Sequence, residues 1–344
     1  MLIYILFLEV KPMSLNIVQQ VFFKLFALIM SMVYSFNGGV VAPSTDDIIK
    51  AKDPDSVKLA FATVADPQVS NYMFDRYQSF QEACIDLRNA EGLDAIVGVG
   101  DIAENGLAEE YQLAYDELKD IDARFIMASG NHDIRLRAYD QSYSRFSAFT
   151  NALNGDNGMT ENAYAEGKYA YSEEVNGYKF IVMGSDKTEF EEAYISDEQL
   201  DWLDKELASA NGKPVFVILH QPLKLTHNLP TTWGNGTNKN AGSVGEQNDE
   251  IKAILASHAK SGNVFLITGH LHAGFSQYSY QQIEGFHSFN VPALSIENKD
   301  GEEGGNGSGL TYIVEVYENE VLFRARNCRT GEWLTKWDVS IPVK

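Results

Sequence analysis

With 344 residues and a formal net charge of −21, the chain has room for one large α/β domain or two modest ones, and no basic patch is visible to neutralise a nucleic-acid backbone. A small phosphate ester is not excluded as a partner, because bound cations can reverse the local charge at a site. Its two cysteines, Cys84 and Cys328, form no C-x-x-C pair, which excludes a cysteine-based metal site and reads as two free, mostly buried thiols.

Residues 1–42 read as a segment apart from the domain. Leu2 to Leu8 is apolar until Glu9 and Lys11 interrupt, and a second apolar run, Leu25 to Phe36, follows Lys24. Both are shorter than the roughly 20 apolar residues of a spanning helix, so a signal peptide or membrane anchor is expected. Export, secreted or anchored to a membrane through this segment, is favoured over a cytoplasmic location; an N-terminal helix buried on the domain is the alternative. Met13 is a second candidate start, and Val40-Val41-Ala42 is followed by Pro43, a poor residue after a cleavage site. Residues 43–56 are polar and turn-rich, a linker, and one domain is expected over 57–344.

From Val57 short apolar runs alternate with helix-like segments, the pattern of a mixed α/β sheet. Val57 to Ala65 is the first predicted strand and ends in Asp66-Pro67-Gln68. A helix over Phe74 to Glu91 precedes a strand over Asp94 to Val99, which leads into Gly100-Asp101. A helix over Leu107 to Lys119 precedes a strand over Arg124 to Ser129, which leads into Gly130-Asn131-His132-Asp133. Ser142 to Leu153 reads as helix and Asn154 to Gly167 as loop. Tyr169 to Val175 and Tyr178 to Gly184 form a predicted hairpin around Asn176-Gly177. A helix from Asp197 to Ala210, capped by Ser196, comes before the strand Pro214 to Leu219 and His220.

Gln221 to Glu246 is a long segment rich in Gly, Asn and Thr, of the kind that is usually functional or disordered. The helix Asn248 to Lys260 and the strand Val264 to Thr268 then lead to Gly269-His270-Leu271-His272. Thr311 to Tyr317 and Val321 to Arg326 alternate at period two and suggest antiparallel strands.

Chemistry-bearing residues gather at these strand ends: Asp66 and Gln68, Asp101, Asn131 and His132, His220, then His270 and His272. In extended backbone the i, i+2 spacing of Asp66-x-Gln68 and His270-x-His272 turns both side chains to one side. Carboxylate, amide oxygen and imidazole suit divalent ions such as Mn²⁺, Fe²⁺ or Zn²⁺. Each piece alone is weak, since Gly-Asp is common in turns and a lone strand-end histidine is more often structural. Five pieces in order at successive strand ends are a strong joint signal. No G-x-G-x-x-G follows the first strand, so a dinucleotide-binding fingerprint is missing.

The series Asp66-x-Gln68, Gly100-Asp101-(x)₄-Gly106, Gly130-Asn131-His132-Asp133, His220, Gly269-His270-x-His272 resembles the calcineurin-like metallophosphoesterase superfamily, over about residues 57–326. The resemblance implies an α/β, four-layer sandwich of two mixed β-sheets flanked by helices. It implies that Asp66, Gln68, Asp101 and His272 hold one metal and Asp101, Asn131, His220 and His270 the other, with Asp101 bridging. It implies hydrolysis of a phosphate ester (phosphomonoester, phosphodiester or nucleotide diphosphate) by a metal-bridging hydroxide, with His132 as the outer-sphere histidine. Glu104 falls where related phosphatases place an acid that orients that histidine; a solvated loop carboxylate is the plain alternative.

Most members have His where this chain has Gln68. The Gln form resembles manganese-dependent ADP-ribose/CDP-alcohol diphosphatases and related phosphatases, so the first metal is expected to bind more weakly and Mn²⁺ is favoured, with Fe or Zn as alternatives; Gln68 as a spectator, with a water in its place, is the plain alternative. Trp233, Lys224, Arg135 and Arg137 are candidate substrate contacts, Asn71 and Tyr72 lie near the mouth by sequence, and His227 is a candidate third ligand from the long loop, each with surface exposure or a structural role as its plainer reading. The expected partner is a small phosphorylated substrate. The rival reading is an exported metal-binding surface protein with a degenerate, inactive site.

Overall fold

The first predicted strand forms over Leu59–Val64 (β1), and all of its residues are buried. This computed structural model describes residues 48–227, 243–305 and 307–344. The expected signal peptide or anchor, 1–42, and Trp233 lie outside the described residues. Among the described residues no helix is long and apolar enough to cross a membrane.

After β1 come α1 (Phe74–Arg88), β2 (Ala95–Val99), α2 (Ala108–Leu118), β3 (Arg124–Ala128), the short α3 (Asn131–Ile134) and α4 (Tyr139–Asn154). Next are α5 (Gly158–Glu161), β4 (Tyr171–Val175), β5 (Tyr178–Val182), α6 (Asp197–Ser209) and β6 (Val215–Ile218). The later elements are α7 (Asn248–His258), β7 (Val264–Thr268), β8 (Tyr280–Ile283), β9 (Phe286–Asn290), β10 (Leu310–Val316), β11 (Glu320–Asn327), β12 (Glu332–Trp333) and β13 (Val339–Pro342). Two mixed sheets result: a seven-stranded one ordered β12-β11-β10-β1-β2-β3, with β13 beside β11, and a six-stranded one ordered β4-β5-β6-β7-β9-β8. β1, β2 and β3 are parallel, as are β5, β6, β7 and β9.

The sheets face each other through aromatic rings. Phe61 of β1 meets Phe180 and Phe216 at centroid distances of 5.2 and 4.9 Å, and Phe289 stacks on Phe323 at 3.7 Å. Successive residues of a strand point to opposite faces, and β6 divides accordingly. Phe216 and Ile218 join this inner core, whereas Val215 and Val217 pack with Leu203 and Leu207 of α6 and Ile251 and Leu255 of α7. Phe80 and Leu87 of α1, Tyr111 and Leu118 of α2 and Phe146 of α4 cover the first sheet. This is the expected sandwich of two mixed sheets flanked by helices.

The β4–β5 hairpin turns at Asn176-Gly177, with φ of 52° and 76° as a two-residue turn of this type requires. Ser196 caps α6 by accepting from the Gln199 N–H. Cys84 and Cys328 are free and buried. Arg326 of β11, fully buried, is held by both carboxylate oxygens of Asp86 on α1, each at 2.7 Å.

Several features depart from the sequence reading. β8 and β9 form a hairpin at Glu284-Gly285, φ 47° and 101°. β9 is buried throughout, so it lacks the half-exposed alternation that marks a strand. The loop 154–167 contains the short α5. The predicted linker 43–56 is docked on the domain over its described part: Ile49 is buried in the core, and the Lys52 N–H donates to Glu315.

Candidate metal centre

The strand ends of both sheets converge. Asp66 and Gln68 follow β1, Asp101 follows β2, Asn131 opens the short helix after β3, His220 follows β6, and His270 and His272 follow β7. Backbone hydrogen bonds lock neighbouring ends together: Asp66 N–H to the Gly100 carbonyl, Gln68 N–H to that of Asp101, and Gly269 N–H to that of His220.

The i, i+2 pairs do not converge through extended backbone, as the spacing suggested. Asp66, Gln68, Asp101, His270 and His272 all have φ between 39° and 70°, a left-handed conformation that side-chain-bearing residues seldom adopt and that concentrates at functional sites. The chain leaves each strand in a tight turn that aims the side chain inward.

The glycines of the motifs make room for this. A Cβ on Gly100 would lie 2.6 Å from His220 Nδ1, one on Gly269 2.6 Å from Asp66 Oδ2, and one on Gly130 2.1 Å from Asp101 Oδ1. Asp133 braces the same turns, accepting from the N–H groups of Ile102, Ala103 and Gly130 and from the Tyr111 hydroxyl.

Two donor groups share one residue. Asp66, Asp101 and His272 bring ligand atoms within 4.8 Å of one another, and so do Asp101, His220 and His270. Asp66 Oδ2 accepts the His270 N–H at 2.9 Å, while Oδ1 lies 3.2 Å from His272 Nε2. Asp101 Oδ1 accepts the His132 N–H at 2.8 Å, while Oδ2 lies 3.2 Å from His220 Nε2. His220 Nδ1 is 2.8 Å from the Val99 carbonyl and donates to it, which leaves Nε2 as the free nitrogen, 3.1 Å from His270 Nδ1.

Asn131 is the donor that the sequence reading adds to the second group. Its Nδ2 donates to Glu191 at 3.0 Å, and its Oδ1 is buried without a hydrogen-bond partner. A buried acceptor left unpaired is costly, and an amide oxygen of this kind suits a divalent cation. The carboxylate, amide and imidazole donors suit hard or borderline ions.

Charge is tightly coupled here. Burial acts to raise the Asp101 carboxyl, but the imidazoles of His220 and His132 outweigh it and hold the group well below the usual carboxylate range. Burial acts to lower His220, but Asp101 and Asp66 outweigh it and push the imidazole up to about 9. Burial, with His220 alongside, holds His270 well below its ordinary value.

His132 borders the donors, its Nε2 3.9 Å from Asp101 Oδ2. Its Nδ1 is 2.7 Å from the Glu104 carbonyl and 3.1 Å from Arg135 Nη2. A single nitrogen cannot both donate to the carbonyl and accept from the guanidinium, and the shorter contact identifies Nδ1–H as the donor. Glu104 thus reaches His132 through its backbone. Its carboxylate lies 3.7 Å from that ring and is bound instead by Arg76 at 2.6 Å. Gln68 sits with Nε2 3.2 Å from Asp101 Oδ2 and Oε1 3.3 Å from Arg76 Nη1.

Other candidates stand outside the donor set. His227 is pinned between the Tyr278 carbonyl and Ser288, Arg137 donates to the Asn105 carbonyl, and the exposed Tyr72 accepts from Asn105 through its hydroxyl. The Lys224 backbone N–H bonds Asn248. Arg135 pairs with Glu191 at 3.0 Å and lies over the Phe190 ring. Arg76 and Glu191 carry no motif in the sequence. The only hint for Arg76 is a cation placed one helical turn into the domain just after the first ligands.

Residues 59–274 match the family model of calcineurin-like phosphoesterases. The chain belongs to that family. This calcineurin-like phosphoesterase is therefore a phosphoric ester hydrolase of a metal-dependent family. It is similar to a probable cyclic nucleotide phosphodiesterase of Rhodococcus erythropolis, 27% identical over 241 residues, covering 67% of this chain and 68% of the relative. It is also similar to a probable glycerophosphodiester phosphodiesterase of Arcobacter nitrofigilis, 28% identical over 131 residues, covering 38% of this chain and 42% of that relative. A purple acid phosphatase from yellow lupin shares the fold at a TM-score of 0.56 and 12% identity, covering 83% of this chain and 53% of that one.

Proposed function

We propose that this calcineurin-like phosphoesterase uses two divalent metal ions to hydrolyse a small phosphodiester. The observation that carries the reading is Asp101, which belongs to both donor groups. Asp66, Asp101 and His272 would hold one ion, and Asp101, Asn131, His220 and His270 the other. Such a pair of ions supplies a nucleophile at neutral pH and positive charge for the phosphoryl oxygens. Mn²⁺ is favoured because oxygen donors from two carboxylates and an amide accompany the imidazoles.

The chain's own contribution is orientation and proton supply. With Nδ1–H committed to the Glu104 carbonyl, His132 turns Nε2 toward the centre. A proton there meets the charge that builds on the leaving oxygen and can pass to it. Val99, Glu191 and the His132 N–H fix the faces that His220, Asn131 and Asp101 present. Both similar bacterial relatives are described as phosphodiesterases, which supports a diester over a monoester. The acidic surface favours a small substrate over a nucleic acid, and the apolar N-terminal runs support export. Asp66, Asp101, His220, His270 and His272 stand together in the two groups and both similar relatives are phosphodiesterases by name, so a degenerate, inactive site has no support.

The test is turnover by the purified protein after chelation, with Mn²⁺, Fe²⁺, Zn²⁺ or Mg²⁺ added back. Substrates pair bis-p-nitrophenyl phosphate with p-nitrophenyl phosphate, and a cyclic nucleotide with a glycerophosphodiester, ADP-ribose and CDP-choline. Metal-dependent diester cleavage that Asn131→Ala abolishes is expected. A faster monoester would overturn the diester reading, and a chain that neither turns over nor binds metal would overturn the catalytic one.

A further inference from the structure

Arg76 stands in the first turn of α1 and touches nothing that sequence motifs would assign to it. One of its nitrogens, Nη1, lies 3.3 Å from Gln68 Oε1 and 2.6 Å from Glu104 Oε2. A guanidinium has donors and no acceptor, so it faces the oxygen of the Gln68 amide. The other end of that amide, Nε2, lies 3.2 Å from Asp101 Oδ2 and 3.5 Å from His272 Nε2. Turning the amide over would set NH₂ against the guanidinium and carbonyl against the carboxylate. Two attractive contacts would become two repulsive ones.

We propose that Arg76 is a positioning residue that holds the Gln68 oxygen away from the donor set, leaving Asp66, Asp101 and His272 as a three-residue position and the weaker of the two. The inference deepens the two-metal reading and rests on it. In this arrangement Gln68 donates to Asp101, the residue common to both groups, and is not itself a ligand. Its oxygen becomes available only when Arg76 releases it. The contrast with Asn131 is built in, because Glu191 and the Phe190 carbonyl hold its amide nitrogen and leave the buried Oδ1 without a hydrogen bond. Glu104 acts through the same contact, since its carboxylate anchors Arg76 and so fixes the amide at one remove.

The experiment counts Mn²⁺ on the metal-stripped full chain by equilibrium dialysis, with the free ion followed by its paramagnetic resonance signal. Wild type is expected to fill in two steps. Arg76→Met, with Arg76→Ala in parallel, is expected to tighten the weaker step by about ten-fold, the scale on which outer-shell partners act on metal affinity. Arg76→Lys should stay near wild type.

Removing a cation also tightens a nearby cation site by charge alone, so the series is repeated in Gln68→Ala. A gain that vanishes in that background supports the inference. An equal gain in both backgrounds, or none in either, overturns it. The stronger step, unchanged throughout, reports that the variants are folded. Two Mn²⁺ steps with no coupling would remove this inference alone, whereas no bound Mn²⁺ in any variant would remove the two-metal reading beneath it.

Discussion

The carbonyl of Val99, at the end of a strand in the first sheet, accepts a 2.8 Å hydrogen bond from His220 Nδ1, at the end of a strand in the second. The bond fixes the imidazole's tautomer and face, the usual way a protein prepares a histidine to bind metal. Gly100, next to Val99, has φ +94°, and a Cβ there would lie 2.6 Å from the same nitrogen. Gly100→Ala is therefore expected to swing His220 away, cutting Mn²⁺ affinity by about 10- to 100-fold and turnover with it. Far-UV circular dichroism should stay unchanged. Metal titration checks the first effect, and unaltered affinity would show that the ring tolerates the methyl group.

Glu191 aims Asn131 without belonging to the donor set. Its carboxylate accepts from Asn131 Nδ2 at 3.0 Å and from Arg135 at 3.0 Å. Glu191→Ala leaves the amide only its 3.4 Å contact to the Phe190 carbonyl and is expected to weaken one Mn²⁺ by about ten-fold, while Glu191→Gln retains an acceptor and loses less. Asn131→Ala should exceed both. A calorimetric titration of the three variants tests that order.

Metal uptake should release protons. In the metal-free chain His220 is pushed up to about 9, so at neutral pH its ring carries a proton that a cation must displace. Apparent Mn²⁺ affinity is expected to rise with pH, by about ten-fold per unit for one proton, and to level off above 9. Linkage runs the other way for the metal-free fold. The interaction that holds this proton stabilises it fully below the unfolded value of about 6.5 and is lost as pH rises through 9. The metal-free protein should thus lose melting temperature over that window. Calorimetry in buffers of different ionisation enthalpy counts the protons released.

His227 and His287 set the acid limit. Burial pushes both down to about 4, so they are neutral in the fold. Stability is complete above the unfolded value of about 6.5 and is lost as pH falls toward 4, because the unfolded chain takes up protons that the fold excludes. His287→Phe keeps the stack on Phe265 and should flatten the acid slope of the melting curve. An unchanged slope would assign the acid loss to carboxylates instead.

How much of this could be read from residues alone depends on what each residue signals. The candidate ligands were legible because each side chain needs a glycine or a tight turn beside it, leaving paired marks such as Gly100-Asp101 and Gly269-His270. The inner strands were legible because β1, β6 and β7 are apolar runs, interrupted only by Thr63 in β1 and closed by Thr268 in β7. Glu191 and Arg76 were not, since an acid within Glu189-Phe190-Glu191-Glu192 and an arginine on a helix look like solvated charge until the fold brings them to Asn131 and Gln68. Nor does spacing disclose a left-handed turn: Asp66-x-Gln68 has the same spacing in a strand as in the bend it adopts. The β8–β9 hairpin was hidden because β9 is covered on both faces.

The pairing of β1 with β10, Leu59 opposite Val316, bears on when the centre matures. Asp66, Asp101 and Asn131 leave the ribosome well before His220, His270 and His272, and the strand that shelters β1 on its open side follows later still. Contacts so distant along the chain form slowly. A nascent chain thus carries carboxylates with no imidazole to share an ion, and it has little grip on a cation. An ion held by both sets of donors would therefore be expected to enter only after the two sheets have closed.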